Sequence, residues 1–192
     1  MAPIELTDLT LTADQAVARL HELTVIDVRT PGEYASGHLP DAHNIPLDRL
    51  DVALPALKTA AARGDLLVVC ASGARSATAC RSLAESGITA TSLTGGTTAW
   101  TRLGHDTHRP AGARTAWSME RQVRLAAGAL VLTGLLAGRR WKATRLLSAG
   151  VASGLVFSAV TDTCGMARVL AKLPHNQPKA TDLDATLAAL TG

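Results

Sequence analysis

Apolar positions follow two different patterns along the chain, and the pattern changes near residue 107. In the first part the apolar runs are short. The clearest is Leu66–Val69, which has no polar alternation and therefore predicts a central parallel strand covered on both faces. It is followed by a small-residue loop and by residues 76–85, which are rich in helix formers and end before Ser86 and Gly87, a typical C-terminal cap. The pattern predicts a strand that turns directly into a helix.

Two longer apolar runs without charges, 125–138 and 146–161, mark the second part. As helices they extend about 21 and 24 Å, and their apolar residues cover the whole circumference. Small residues recur at four-residue spacing, which lets membrane helices approach closely, and a tryptophan stands outside each run. The pattern predicts a two-helix transmembrane hairpin, with a soluble helical subdomain or an interfacial hairpin as alternatives. The small residues and tryptophans are Gly134, Gly138, Gly150, Gly154, Ser158, Trp117 and Trp141.

Charge divides the chain in the same way. Residues 1–106 hold eight Lys or Arg against twelve Asp or Glu, a formal charge of −4, and residues 107–192 hold eleven against four, or +7. The cations of the second part flank its apolar runs and are not combined with stacking groups, which favours a membrane and excludes a nucleic-acid surface. The sequence has neither metal-ligand spacing nor a nucleotide loop, so it predicts no metal and no cofactor.

Cys70 follows the predicted strand directly, at the edge where ligands bind in open α/β sheets. The helix after it directs N–H groups and a positive dipole end toward the thiol, which favours the thiolate, a nucleophile. Arg75 is the one cation of the loop and is predicted to steady the thiolate and orient an anionic donor. We therefore expect Cys70 and Arg75 to be catalytic. The loop residues expected to bind substrate are Ala71, Ser72, Gly73, Ala74 and Ser76.

Three segments in order, residues 27–46, 66–76 and 93–100, resemble the motifs of rhodanese domains. The resemblance covers residues 1–105 and implies an α/β fold with a small doubly wound parallel sheet. It also implies a thiosulfate/persulfide sulfurtransferase, in which Cys70 takes a sulfane sulfur from a small donor and carries it as a persulfide. A thiophilic acceptor, such as cyanide or a thiol, then removes the sulfur. The resemblance places Asp27, Arg29 and Glu33 in a polar network with a structural role.

The length of the cysteine loop distinguishes two kinds of enzyme on this fold. Four residues separate Cys70 from Arg75, whereas the Cdc25-like phosphatases, which resemble rhodaneses, have one more and form a wider cradle for phosphate. The shorter loop suits a single sulfur atom and favours sulfur transfer. An alternative from another class is a membrane transporter or scaffold whose rhodanese domain binds or senses sulfur species without turnover. The presence of both Cys70 and Arg75 favours the enzyme.

The segments that enter and leave the apolar runs, residues 118–124 and 161–167, resemble the membrane domain of bacterial inner-membrane rhodaneses of the YgaP type. This resemblance implies an inner-membrane, multi-pass protein that contacts lipid and forms a homodimer through its membrane helices. Residues 1–18 lack the basic start and apolar run of a signal peptide, so we expect the rhodanese domain and both termini to be cytoplasmic. The predicted divisions are a rhodanese domain (1–106), a linker (107–117), a two-helix transmembrane domain (118–173) and a polar C-terminal tail (174–192).

Three further residues have alternative interpretations. Cys80 is expected to pack against the sheet rather than to act as a resolving thiol, and His38 to be a structural loop histidine rather than a base. Cys164 and the neighbouring Asp162 follow the second apolar run, at the membrane face expected to hold Cys70. Cys164 is therefore a candidate sulfur relay, the alternative being a packed small residue.

Overall fold

The computed structural model describes residues 10–110, 116–161, 165–176 and 180–192. The chain forms two compact units. The first contains residues 1–116 together with 177–192, and the second contains residues 117–176.

A five-stranded parallel sheet lies at the centre of the first unit, with strand order β1-β5-β4-β2-β3. All its strand pairs are parallel. The longest pairing joins β2 to β4, in register from Leu23 opposite Asp65 to Asp27 opposite Val69. This sheet with helices around it confirms the predicted fold class. The strands are β1 (Thr10–Leu11), β2 (Leu23–Asp27), β3 (His43–Asn44), β4 (Asp65–Val69) and β5 (Thr91–Leu93).

Both faces of the sheet are covered, as the unbroken apolar run of β4 predicts. Leu66 and Val68 point to one hydrophobic cluster, which contains residues of α3 and α4. Leu67 and Val69 point to the other, which contains residues of α1 and Trp100 of α5. The helices of this part are α1 (Ala13–Ala18), α2 (Pro31–Ala35), α3 (Leu50–Ala61), α4 (Ala74–Glu85) and α5 (Gly96–Arg102).

The last helix, α9 (Ala180–Thr191), packs on α3 and completes the first unit. Leu190 is 2% exposed and belongs to the same hydrophobic cluster as the buried face of α3. The guanidinium of Arg63 donates a hydrogen bond to the carbonyl of Leu190, which satisfies a carbonyl in the last turn of α9. The segment at the C-terminus of the chain is thus part of the α/β unit.

The second unit is helical, with α6 (Met119–Ala137), α7 (Arg145–Thr161) and α8 (Gly165–Ala171). Helices α6 and α7 pack closely at Gly134, where an added Cβ would lie 2.3 Å from Ser148 Oγ. Among the described residues, Lys142–Thr161 forms the one helical stretch long and apolar enough to cross a membrane. Helix α6 is 19 residues long, about 28 Å, and carries Glu120, Arg121 and Arg124 near its start.

Candidate functional site

Cys70 lies at the carboxyl edge of the sheet, between the end of β4 and the start of α4. The chain reverses direction there at Gly73, the residue before α4, which has a φ of +102°. A side chain at this φ is strained, so glycine allows the short turn that brings the helix N-terminus beside the thiol. The predicted strand, loop and helix are all present, and α4 ends at Glu85 as the Ser86-Gly87 cap predicts.

Two groups of the loop contact the sulfur atom of Cys70. The Gly73 N–H donates a hydrogen bond to Sγ over 3.1 Å, and the Ser76 hydroxyl lies 3.6 Å from Sγ. The N–H groups in the first turn of α4 have no carbonyl acceptor within their own helix and add a positive potential at this end. Of the other loop residues predicted to bind substrate, Ala71 accepts a bond from Thr98 N–H through its carbonyl, and the side chains of Ser72 and Ala74 are exposed.

Two buried hydroxyl groups, those of Ser76 and Ser92, lie next to the sulfur of Cys70. Ser76 Oγ donates to the Gly73 carbonyl over 2.9 Å and lies 2.7 Å from the hydroxyl of Ser92 on β5. Because the Ser76 proton is used on Gly73, Ser92 donates to Ser76, and the Ser76 oxygen can accept a bond from the Cys70 thiol. Sequence reasoning missed Ser92. The available signal was a serine in a short, otherwise buried strand.

Arg75 is bound to a carboxylate. Its Nη1 and Nη2 atoms donate to the two oxygens of Glu33 over 2.9 and 2.8 Å, and the Glu33 side chain is 3% exposed. Burial alone lowers the pKa of Arg75, but the hydrogen bonds and charge of Glu33 outweigh it and leave this pKa above its ordinary value. The prediction that Arg75 contacts an anionic donor requires that its guanidinium be available to that donor. In the structure the fork of the guanidinium is occupied by Glu33.

A second buried ion pair, Asp27–Arg29, lies beside the first. Arg29 binds both carboxylate oxygens of Asp27, at 2.6 to 3.0 Å, and also donates to the Thr97 hydroxyl. Thr97 in turn donates its N–H to the carbonyl of Cys70 over 2.8 Å. Asp27, Arg29 and Glu33, expected in one polar network, thus belong to two buried ion pairs, and the Arg29–Thr97 bond supports the contact of α5 with the backbone at Cys70.

The start of α5 lies directly against the cysteine. Gly96 has a φ of +58°, and a Cβ added there would lie 2.2 Å from the Cys70 carbonyl oxygen. No side chain fits between these two backbones, which explains the glycine pair within the third motif. The three motifs thus meet at one place in the fold.

Cys80 and His38 occupy structural positions. Cys80 is buried in the α4 side of the core, and burial followed by the nearby Cys70 raises its pKa to about 11. A thiol with this pKa is protonated at neutral pH and is a poor nucleophile. His38 Nδ1 donates to the Tyr34 carbonyl and its ring stacks on the Tyr34 ring, while its backbone pairs with His108. Cys164 and Asp162 lie outside the described residues.

Comparison with known proteins matches both parts of the chain to family models. Residues 12–103 match the rhodanese-like domain, and residues 118–179 match the transmembrane domain of YgaP-like inner membrane proteins. A relative in Synechocystis, an uncharacterized protein, is 36% identical over 86% of this chain and 90% of its own length. The chain belongs to the family that joins a rhodanese-like domain to a YgaP-like membrane domain.

The rhodanese-like domain has further relatives. A protein named sulfurtransferase from Allochromatium vinosum is 33% identical over 51% of this chain and 90% of its own length. Among solved structures, a rhodanese-related protein from Thermoplasma volcanium is 28% identical, covers 53% of this chain and 98% of its own, and has a TM-score of 0.49. Residues 180–192, which contain all of α9, lie beyond both matched segments.

Proposed function

We propose that this protein is a membrane-anchored sulfurtransferase that accepts a sulfane sulfur on Cys70 as a persulfide and passes it to a thiophilic acceptor. The observation that carries the proposal is the position of the Cys70 sulfur at a helix N-terminus, 3.1 Å from the Gly73 N–H. The rhodanese-like match and the named sulfurtransferase relative support the same reaction class.

Two consecutive displacements make up the proposed reaction. The Cys70 thiolate attacks the outer sulfur of the donor, the donor S–S bond breaks, and the leaving group departs with the bonding electron pair. The acceptor then attacks the outer sulfur of the persulfide and regenerates the Cys70 thiolate. The amide of Gly73 and the helix dipole stabilise the negative charge on sulfur at both stages.

We place the rhodanese-like domain and both chain ends in the cytoplasm, with α6 and α7 crossing the inner membrane. Helix α9 supports the location of both chain ends on the same side of the membrane. The residues before and after the helical unit in the sequence fold into one compact α/β unit. A single folded unit lies on one side of a membrane, which supports an even number of crossings by the segment between its two parts. The exposed small-residue positions Gly150 and Gly154 on α7 are available for a second copy of the chain, which supports a homodimer.

Turnover of purified protein with a sulfane-sulfur donor and cyanide tests the proposal. Cys70→Ser is expected to abolish thiocyanate formation, while the matched variant Cys80→Ser keeps it, because the Cys80 thiol is protonated and buried. Full activity of Cys70→Ser would contradict the assignment. Donor binding without thiocyanate formation by the wild-type protein would instead support a sensor or scaffold, and phosphate release from aryl phosphates would support a phosphatase.

A further inference from the structure

Among the residues that the structure describes, the charge around Cys70 is balanced, because the two arginines at the site are each held by a carboxylate. Arg75 is paired with Glu33, and Arg29 with Asp27. The acidic side chains are 3% and 1% exposed, and the arginine side chains are 21% and 8% exposed. These two pairs contribute no net positive charge. When Cys70 is a thiolate, the net charge of the five groups is therefore about −1.

The side chains at the mouth of the loop are uncharged as well. Ser72 and Ala74 are exposed, and they flank Gly73, whose N–H binds the sulfur. Neither can form an ion pair with an incoming donor. The groups that the loop offers to a ligand are therefore backbone N–H groups and the dipole of α4, which stabilise one negative charge on sulfur rather than several.

Sulfane-sulfur donors differ in the charge that they bring to this site. Thiosulfate is a dianion and expels a second dianion, sulfite, so its attack by a thiolate brings three negative charges together. A low-molecular-weight hydropersulfide, R–S–SH, is neutral or carries one charge. Repulsion between like charges near a partly buried site is strong enough to separate the two classes.

We propose that the donor for this protein is a hydropersulfide rather than thiosulfate, an inference that rests on the proposed sulfur transfer at Cys70. The Cys70 thiolate attacks the outer sulfur of R–S–SH and forms a new S–S bond. The original S–S bond breaks, R–S⁻ leaves with the bonding pair and takes up the proton of the transferred S–H group, and the products are Cys70–S–S⁻ and R–SH. The reaction needs no oxidant or reductant.

Glu33 has a specific part in this proposal. By occupying both terminal nitrogens of Arg75, it withholds the guanidinium from an anionic donor. Glu33 also closes the capping box of α2, where its carboxylate accepts bonds from the N–H and hydroxyl of Thr30. A glutamine has the same shape and can still accept there, so Glu33→Gln removes the charge with the smallest structural change.

The test is the rate at which full-length protein in detergent acquires sulfur on Cys70 from two probes, thiosulfate and cysteine hydropersulfide, which is neutral or carries one negative charge. Since hydropersulfides are the more reactive donors toward any thiol, the diagnostic quantity is the ratio of the two rates in each variant relative to wild type. Ala74→Lys places a cation at the mouth, and Ala84→Lys places the same cation on an exposed position at the far end of α4.

Ala74→Lys is expected to raise the thiosulfate-to-hydropersulfide ratio by about tenfold, a size typical of one charge-assisted contact, and Ala84→Lys to leave it unchanged. Glu33→Gln is expected to raise the ratio as well, because it frees Arg75. Either of two results would overturn the inference: a thiosulfate-to-hydropersulfide ratio that Ala74→Lys leaves unchanged, or one that Glu33→Gln lowers. Both would indicate that Arg75 already binds thiosulfate in the wild-type protein. If neither probe adds sulfur to Cys70 in the wild-type protein, the proposed function itself is wrong.

Discussion

The two compact units of this protein use opposite arrangements of polar and apolar groups. In the α/β unit the large apolar side chains of the two core clusters are buried, as at Ile26 and Leu67, and the buried charges are paired, as in Asp27–Arg29. In the helical unit, Leu146 is 75% and Val160 82% exposed. The first arrangement is stable in water. The second exposes an apolar surface, and contact with lipid or with another apolar surface lowers its free energy relative to water. One chain thus joins a unit whose surface suits water to a unit whose surface suits lipid.

The largest effect is expected from breaking the buried ion pair of the α/β unit. Arg29→Ala leaves the Asp27 carboxylate buried without its main partner and should lower the free energy of unfolding by about 3–5 kcal/mol. Chemical denaturation followed by tryptophan fluorescence measures this change, since Trp100 lies in the same unit. The control is Arg81→Ala, an exposed residue on α4, expected within about 0.5 kcal/mol of wild type. A loss below 1 kcal/mol for Arg29→Ala would contradict the account.

The next largest effect concerns the membership of α9 in the α/β unit. Leu190→Ala removes a buried side chain from the cluster on α3 and should destabilise the α/β unit by about 2–5 kcal/mol. Ala189→Ser, its exposed neighbour, should have little effect. Chemical denaturation followed by tryptophan fluorescence measures both variants. Equal stability of the two would show that α9 is not part of this unit. The argument for equal sidedness of the two chain ends would then lose its support.

Local sequence was sufficient to predict the strand, loop and helix around Cys70, because the signals lie within 22 neighbouring residues, from Leu66 to Gly87. It was not sufficient for the partner of Arg75, since Glu33 is 42 positions away and their contact depends on the pairing of β2 with β4, which brings together the segments after the two strands. Ser92 was missed for the same reason. Helix α9 lies in the segment that the sequence marks only as a polar tail, because its packing on α3 depends on the return of the chain to the first unit.

A smaller effect separates the glycines of the membrane unit, which the sequence pattern alone treats as equivalent. Gly134 lies in the α6–α7 contact, whereas a Cβ on Gly154 meets no atom within 4 Å. Gly134→Leu should therefore overpack the hairpin, at a cost of about 1–3 kcal/mol in thermal unfolding. Gly154→Leu should leave the hairpin intact and weaken association between copies, measured by sedimentation in detergent. Equal effects of both variants on association would contradict this division.

The smallest effect is expected from the pH response of His38. Burial lowers the pKa of this side chain, an effect partly opposed by its bond to the Tyr34 carbonyl and by Asp27, while His108 and Arg29 lower it further. The unfolded chain therefore binds a proton more readily than the folded one, and stability falls as the pH drops below about 6.5. His38→Gln should reduce the slope of melting temperature against pH between pH 6.5 and 5. An unchanged slope would show that His38 does not contribute to the pH dependence of the melting temperature.

Peptide mapping of the full-length protein by mass spectrometry tests the central claim most directly. After reaction with cysteine hydropersulfide and trapping of persulfides, the account predicts one added sulfur on the peptide that contains Cys70, lost again on addition of cyanide. Labelled sulfur that appears later on the Cys164 peptide would add a relay, and its lasting absence there would leave that cysteine outside the reaction. Added sulfur on Cys80 with none on Cys70, or no added sulfur at all, would contradict the account.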